Sequence, residues 1–179
     1  DQSAERIKHT IGLPLKETIR QGGLVPDERV NEGVDIYRSI FFDVASELIL
    51  LFPGVRDAMV RLYGEGISLS IATSRGTNSL DRILDNYSLK EMFRLKATSS
   101  GDWKPKPDPD MVLYLLGELG AAPDETLVIG DTTYDLLMGS GAGCLTCGVT
   151  WGNHPRELLS TVHPDYIIDS MEELLSIVL

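Results

Sequence analysis

The chain reads as an α/β protein, a doubly wound, Rossmann-like parallel sheet behind a small N-terminal helical cap. Three observations predict this. From residue 55 onward, strand-like runs alternate with amphipathic helical stretches, and strand and helix in turn imply right-handed parallel crossovers. Residues 1–52 carry helical periodicity only. Two carboxylates, Asp131 and Asp135, follow the apolar run Val128-Ile129-Gly130, at the strand-to-helix edge where open α/β sheets bind ligands. The division is a partial cap at 1–52 and a core at 53–179.

In order along the chain, Pro14 opens a short helix as a first-turn proline. From Pro26-Asp27 a long helix runs towards Phe52, with the stripe Val30, Val34, Tyr37, Phe41, Val44, Leu48 and Leu51 at three- and four-residue steps. Pro53-Gly54 ends it. A helix with Val55, Met59 and Leu62 stops at Gly64 and Gly66. Ile67–Thr73 alternates at period two and reads as a strand. A helix with Leu80, Ile83 and Leu84 follows, then a weak strand near Leu95–Ser99. The helix with Met111, Val112, Leu115, Leu116 and Leu119 ends at Gly120. Strands at Thr126–Ile129, Leu145–Val149 and Tyr166–Ile168 and a helix at Met171–Ile177 complete the pattern.

Residues i and i+4 share a helix face, so Asp131 and Asp135 fall close together. Two such carboxylates repel each other, and a hard cation such as Mg²⁺ relieves the repulsion. Acids matched to a helix dipole are the plainer alternative. Three more features fall at strand ends. Thr73-Ser74-Arg75-Gly76 places a hydroxyl beside backbone N–H groups, fit to hold a phosphoryl oxygen or to cap a helix. Trp103-Lys104-Pro105-Lys106-Pro107-Asp108-Pro109 is stiffened by prolines. It can aim a lysine between a phosphate and carboxylates, or serve as a solvated turn. Trp151, in Gly148–Asn153, borders a pocket or packs as an indole.

Net charge −11 argues against nucleic acid and anionic membrane as partners. No apolar run reaches the length of a membrane span and no signal peptide opens the chain, so a cytoplasmic location is expected. The two cysteines, Cys144 and Cys147, have C-x-x-C spacing but lie in a strand-like run and read as buried thiols. Gly139-x-Gly141-x-Gly143 follows a helix and precedes a strand, the reverse of the dinucleotide fingerprint, and reads as helix capping. His9, His154 and His163 lie far apart, and no nucleophile-elbow or zinc-protease motif occurs.

Thr73 after its strand, Lys106 in Lys106-Pro107-Asp108-Pro109, and Gly130-Asp131-x-x-x-Asp135 resemble, in order, the second, third and fourth motifs of the haloacid dehalogenase superfamily. Lys106, rather than Lys104, matches the family lysine, by its spacing to Gly120. Gly148–Gly152 and Asp165–Ser170 resemble the closing segments of phosphoglycolate phosphatase-like members, and Thr10–Leu15 with the long helix resembles their cap. The resemblance implies a Mg²⁺-dependent phosphatase of small phosphorylated substrates that works through an aspartyl-phosphate. Thr73, with Ser74 and Arg75, would bind the substrate. Lys106 would balance charge, and Asp131 and Asp135 would bind Mg²⁺ directly or through a second shell. A non-catalytic binder of a phosphorylated ligand or partner, and a phosphosugar mutase, are the alternatives.

The family's first motif, D-x-D-x-[TV] on the first core strand, has no counterpart before the cap in these residues. Phe41-Phe42-Asp43-Val44-Ala45 mimics it, but Ala45 replaces the second aspartate and the segment lies in a helical stripe. Asp43 is therefore not taken as the nucleophile, and the 179-residue chain is expected to be inactive as written. In the resembled fold the missing strand lies between those ending at Thr73 and Asp131. Their edges are expected either to be filled by another segment or chain, self-association included, or to close up and pair directly.

Overall fold

The computed structural model describes residues 10–41 and 49–179. Helix α1 (Leu15–Gln21) follows Pro14. Helix α2 (Val30–Ile40) follows a single 3-10 turn at Asp27–Arg29. The two pack through Ile19, Val30 and Val34, with Leu15 and Val25 against them. The long helix expected to reach Phe52 is corrected at its far end: residues 49–52 are not helical, and helical backbone is described from Val30 through Phe41. Val44 and Leu48 of the stripe, and Asp43, lie outside the described residues. The stripe outruns its partner. Helix α1 has seven residues, about 10 Å of axis. One step past Val34, Tyr37 is already 49% exposed.

The core follows with α3 (Val55–Gly64), β1 (Leu69–Ala72), α4 (Thr77–Asn86), β2 (Phe93–Ala97), α5 (Asp110–Leu119), β3 (Leu127–Gly130), α6 (Thr133–Gly141), β4 (Leu145–Val149), α7 (Arg156–Ser160), β5 (Tyr166–Ile168) and α8 (Met171–Val178). Strands β4 and β5 have the bounds that alternation predicts. The first strand is shorter than expected, and the second lies two residues earlier. Helix α7, too short for a periodic signal, was not anticipated.

All strand pairs are parallel, in two hydrogen-bonded sets: β1–β2 and β3–β4–β5. Helices on both faces span the two sets. On one face α5 and α6 bring Met111, Val112, Leu115, Leu116 and Met138 onto Ala72 and Leu95 as well as Val128. On the other, Leu62 of α3 and Leu174 of α8 gather Leu69 of one set with Leu127, Cys147 and Ile168 of the other. The result is a three-layer α/β sandwich. Both cysteines are free and buried, and they belong to different clusters. Burial, with Glu173 adding to it, pushes the Cys147 thiol up to about 11.

The inner edges of β1 and β3 have no strand partner among the described residues. Direct closure of these strands, one of the two expected outcomes, does not occur. The shared helical layers hold the sets in place, as does a side-chain bridge across the strand ends. Nor are the free edges sealed in a dry interior, which was the reason for expecting closure. Every residue of β1 is half-buried, and Ile129 of β3 is 39% exposed.

The triple glycine divides its labour differently from simple capping. Gly143, at φ 79°, follows the helix end in the left-handed region. Gly139 lies inside α6, where an added Cβ would stand 2.7 Å from the Cβ of Val128. In an ordinary helix Gly→Ala stabilises by about 1 kcal/mol. Here Gly139→Ala should reverse that sign and destabilise by about 1–3 kcal/mol, because the root of a β-branched residue cannot swing away. Gly64→Ala, with nothing within 4 Å of its added Cβ, should be neutral or stabilising. Urea midpoints of the two variants measure the contrast.

Candidate active site

The carboxyl ends of β1, β3 and β4 carry the polar residues singled out from the sequence. The loop from β2 to α5 is anchored by Trp103, whose Nε1–H donates to Thr98 O at 2.6 Å and whose ring lies 4.6 Å from that of Tyr114. Beyond it, Lys106 turns inward and is only 7% exposed. Its Nζ donates to Ala72 O, at the end of β1, at 3.0 Å. It also donates to Asp135 Oδ1, on α6, at 2.6 Å. One ammonium therefore joins the ends of the two unpaired strand edges. Lys104 is 71% exposed at its side chain and faces Asp108 and Asp110 at 3.4 and 3.8 Å.

Asp135 is buried, and both of its oxygens accept hydrogen bonds. Its Oδ2 accepts from Thr132 N at 3.1 Å and from Thr132 Oγ1 at 2.6 Å. Thr132 Oγ1 accepts from Asp135 N in return, which completes a capping box at the start of α6. Gly130 makes this possible, since a Cβ there would collide with the Asp135 side chain. With Oδ1 on Lys106, neither oxygen of Asp135 is free.

Asp131 differs. Its Oδ2 accepts from Asn153 N at 2.8 Å and from Asn153 Nδ2 at 2.5 Å, while its main-chain O accepts from His154 N at 3.1 Å. No hydrogen bond reaches its Oδ1 among the described residues. The turn after β4 presses on it so closely that a Cβ on Gly152 would strike its side chain. Among the described residues no group of three or more His, Cys, Asp or Glu gathers at one point.

At β1, Thr73 Oγ1 accepts from Arg75 N at 3.1 Å, which leaves its own proton to donate. Ser74, expected to help hold substrate, commits its hydroxyl proton to Gly12 O at 2.9 Å and so ties the turn after β1 to the segment before α1. Arg75 Nη1 donates to Ser79 Oγ at 3.0 Å, and its guanidinium carbon lies 5.1 Å from the Phe41 ring centre. Burial lowers the Arg75 pKa from its ordinary value, with Tyr37 acting the other way. Trp151 packs with the Cys147–Ile168 cluster as an indole.

Sequence reading assigned no role to Asn153 or His154, and for Thr132 it foresaw the helix start but not the bonds to the Asp135 carboxylate. Thr132 carries a capping-box signal, with Asp135 three residues on in place of the usual Glu. Asn153 follows β4, the strand paired with β3, and neighbouring parallel ends bring their loops together. His154, whose Nδ1 accepts from Thr133 N at 3.1 Å, left no local signal.

The family profile described as "Haloacid dehalogenase-like hydrolase" matches residues 1–149. A protein of Dickeya dadantii described as "Probable phosphatase IndB" is 37% identical, over 94% of this chain and 75% of that protein. The phosphoglycolate phosphatase of Salmonella typhi is 30% identical, over 90% of this chain and 66% of that protein. A solved haloacid dehalogenase-like family hydrolase of Streptococcus pneumoniae superposes with a TM-score of 0.86 at 26% identity, covering 98% of this chain and 81% of that one.

Removing one partner of a buried ion pair leaves the other charge uncompensated. Lys106→Met should therefore destabilise by about 3–5 kcal/mol. Lys104→Met, at an exposed position, should stay within about 0.5 kcal/mol of the parent. Urea unfolding of both variants checks which lysine the fold has built in.

Proposed function

From the haloacid dehalogenase-like hydrolase family, to which this chain belongs as a relative of named phosphatases, we propose that it hydrolyses small phosphate monoesters through an aspartyl-phosphate, with Mg²⁺. The observation that carries the reading is Lys106. Its ammonium lies where β1 and β3 end, held by Ala72 O and Asp135. A nucleophile delivered between those strands meets that positive charge.

In this reading a strand from outside the described residues pairs with both free edges and presents an aspartate at its carboxyl end. Thr73 donates its hydroxyl proton to a phosphoryl oxygen. Lys106 neutralises charge between the attacking carboxylate and the phosphoryl group. Asp135 positions Lys106 and is not itself a metal ligand. Asp131 would hold Mg²⁺, with Asn153 orienting its carboxylate through Oδ2. An all-oxygen donor set of one or two carboxylates, waters and substrate phosphate suits that ion. The bound ion would supply Lewis-acid polarisation of a phosphoryl oxygen. The Ser74–Gly12 tie lets the cap settle over the site and exclude water.

With an aspartate-bearing strand in place, the protein should release phosphate from a small monoester only when Mg²⁺ is present. Lys106→Ala should lower kcat on the order of a hundredfold or more, and Lys104→Ala far less. Asp131→Ala should abolish the dependence on Mg²⁺ concentration. A phosphate-release assay across these variants is decisive, since equal losses at the two lysines would reject the assignment.

A further inference from the structure

Trp103 is held more firmly than core packing alone requires. Its half-buried ring rests against the cluster around Met111 and Met138 and lies 4.6 Å from the Tyr114 ring. Packing of that kind asks only for an apolar ring. Two further features ask for this indole in this pose. Its Nε1–H donates to Thr98 O at 2.6 Å, a bond a phenylalanine cannot make. The nearby Gly101 has no left-handed φ that would call for glycine. Yet an added Cβ there would strike Nε1, Cε2 and Cζ2 of the indole. Gly101 is therefore a clearance for the ring, as Gly130 is for the Asp135 side chain.

A buried indole generally finds a partner for its N–H, so what matters is which partner. Thr98 is the joint between this loop and the turn after β1. Its Oγ1 lies 2.7 Å from Thr77 Oγ1. Beside it, Ser99 N donates to Arg75 O at 3.1 Å and Thr77 N donates to Ser100 Oγ at 3.2 Å. Thr73 N itself donates to Ala97 O at 2.9 Å. In the other direction, Trp103 leads through Lys104 and Pro105 to Lys106, and Pro107 follows. Each proline fixes its own φ, so this short link has few ways to absorb a displacement. Lys104 N is also pinned to Asp110 Oδ2 at 3.1 Å. The indole thus stands between the Thr73 turn and the Lys106 ammonium. We propose that Trp103 is a positioning residue: its bond to Thr98 O, with Gly101 as clearance, fixes where Lys106 Nζ lies relative to Thr73. The inference rests on the phosphatase reading for its chemistry.

Two substitutions disturb the indole without touching Lys106. Trp103→Phe keeps a ring and removes the N–H. Gly101→Ala keeps the N–H and pushes the ring aside. In the active protein each should lower kcat by about tenfold to a hundredfold, the scale for a small misplacement of a catalytic group. KM should stay within about twofold, since the lost interaction belongs to the transition state. On a Lys106→Ala background each should cost less than about twofold, because the group it positions is gone. An unchanged kcat in both single variants, or an undiminished fall on the Lys106→Ala background, would overturn the proposal and leave Trp103 as a packing residue. A readout free of catalysis is a double-mutant cycle on Trp103→Phe and Lys106→Met in the present chain, followed by urea unfolding. The two should couple by more than about twofold in the folding equilibrium constant, beyond the additivity of independent sites. Additivity within about twofold overturns the proposal. If no monoester is hydrolysed while the coupling holds, the phosphatase reading fails and the positioning of Lys106 by Trp103 stands. Should Lys106→Met not fold, Asp135→Asn, which removes the charge that Lys106 meets, takes its place in the cycle and decides in the same way.

Discussion

The rest of the structure depends on a buried ammonium meeting a buried carboxylate. Lys106 and Asp135 lie 2.6 Å apart, and both are nearly sealed from solvent. Such a pair is weak evidence of net stability, because desolvation offsets much of the attraction. Its value here is geometric. The two hydrogen-bonded strand sets share helices, yet no strand ladder joins them among the described residues. At the strand ends the ammonium links Ala72 of one set to the helix that follows β3 in the other. Gly130 and the capping box with Thr132 exist around the same carboxylate: one clears its path, the other fills its second oxygen.

That arrangement separates two aspartates that look equivalent in sequence. Asp135 has both oxygens engaged by the protein, Oδ1 by Lys106 and Oδ2 by Thr132, and serves to aim the lysine. Asp131 is gripped on one oxygen by Asn153 and offers the other. One helical turn thus contains a positioning carboxylate and an available one, and the difference comes from partners 29 and 22 residues away.

Sequence made the fold class legible because period-two and helical runs alternate cleanly in the core. Strands β4 and β5 were recoverable to the residue, since they are short apolar runs between turn residues. Thr73, Asp131 and Asp135 were singled out because strand ends are the functional edge of such sheets, and Lys106 over Lys104 by the family resemblance; the structure joins Lys106 to Asp135. Three things were not legible. The non-helical state of residues 49–52 leaves no mark in the apolar periodicity, which runs on to Leu51. The roles of Ser74, Asn153 and His154 are set by contacts with distant segments. The open state of the β1 and β3 edges follows from helices packed across both faces, so of the two outcomes that unpaired strands alone suggested, direct closure is the one that does not occur among the described residues.

The most direct test of this account is a double-mutant cycle on Lys106→Met and Asp135→Asn, read by urea unfolding. Asparagine keeps an acceptor for Thr132 while removing the charge that faces the lysine. The account predicts a coupling above about 1.5 kcal/mol, because residues in one buried network are not additive. Additivity within about 0.5 kcal/mol, the behaviour of independent sites, would show that the ammonium is not held by Asp135 and would contradict the central claim.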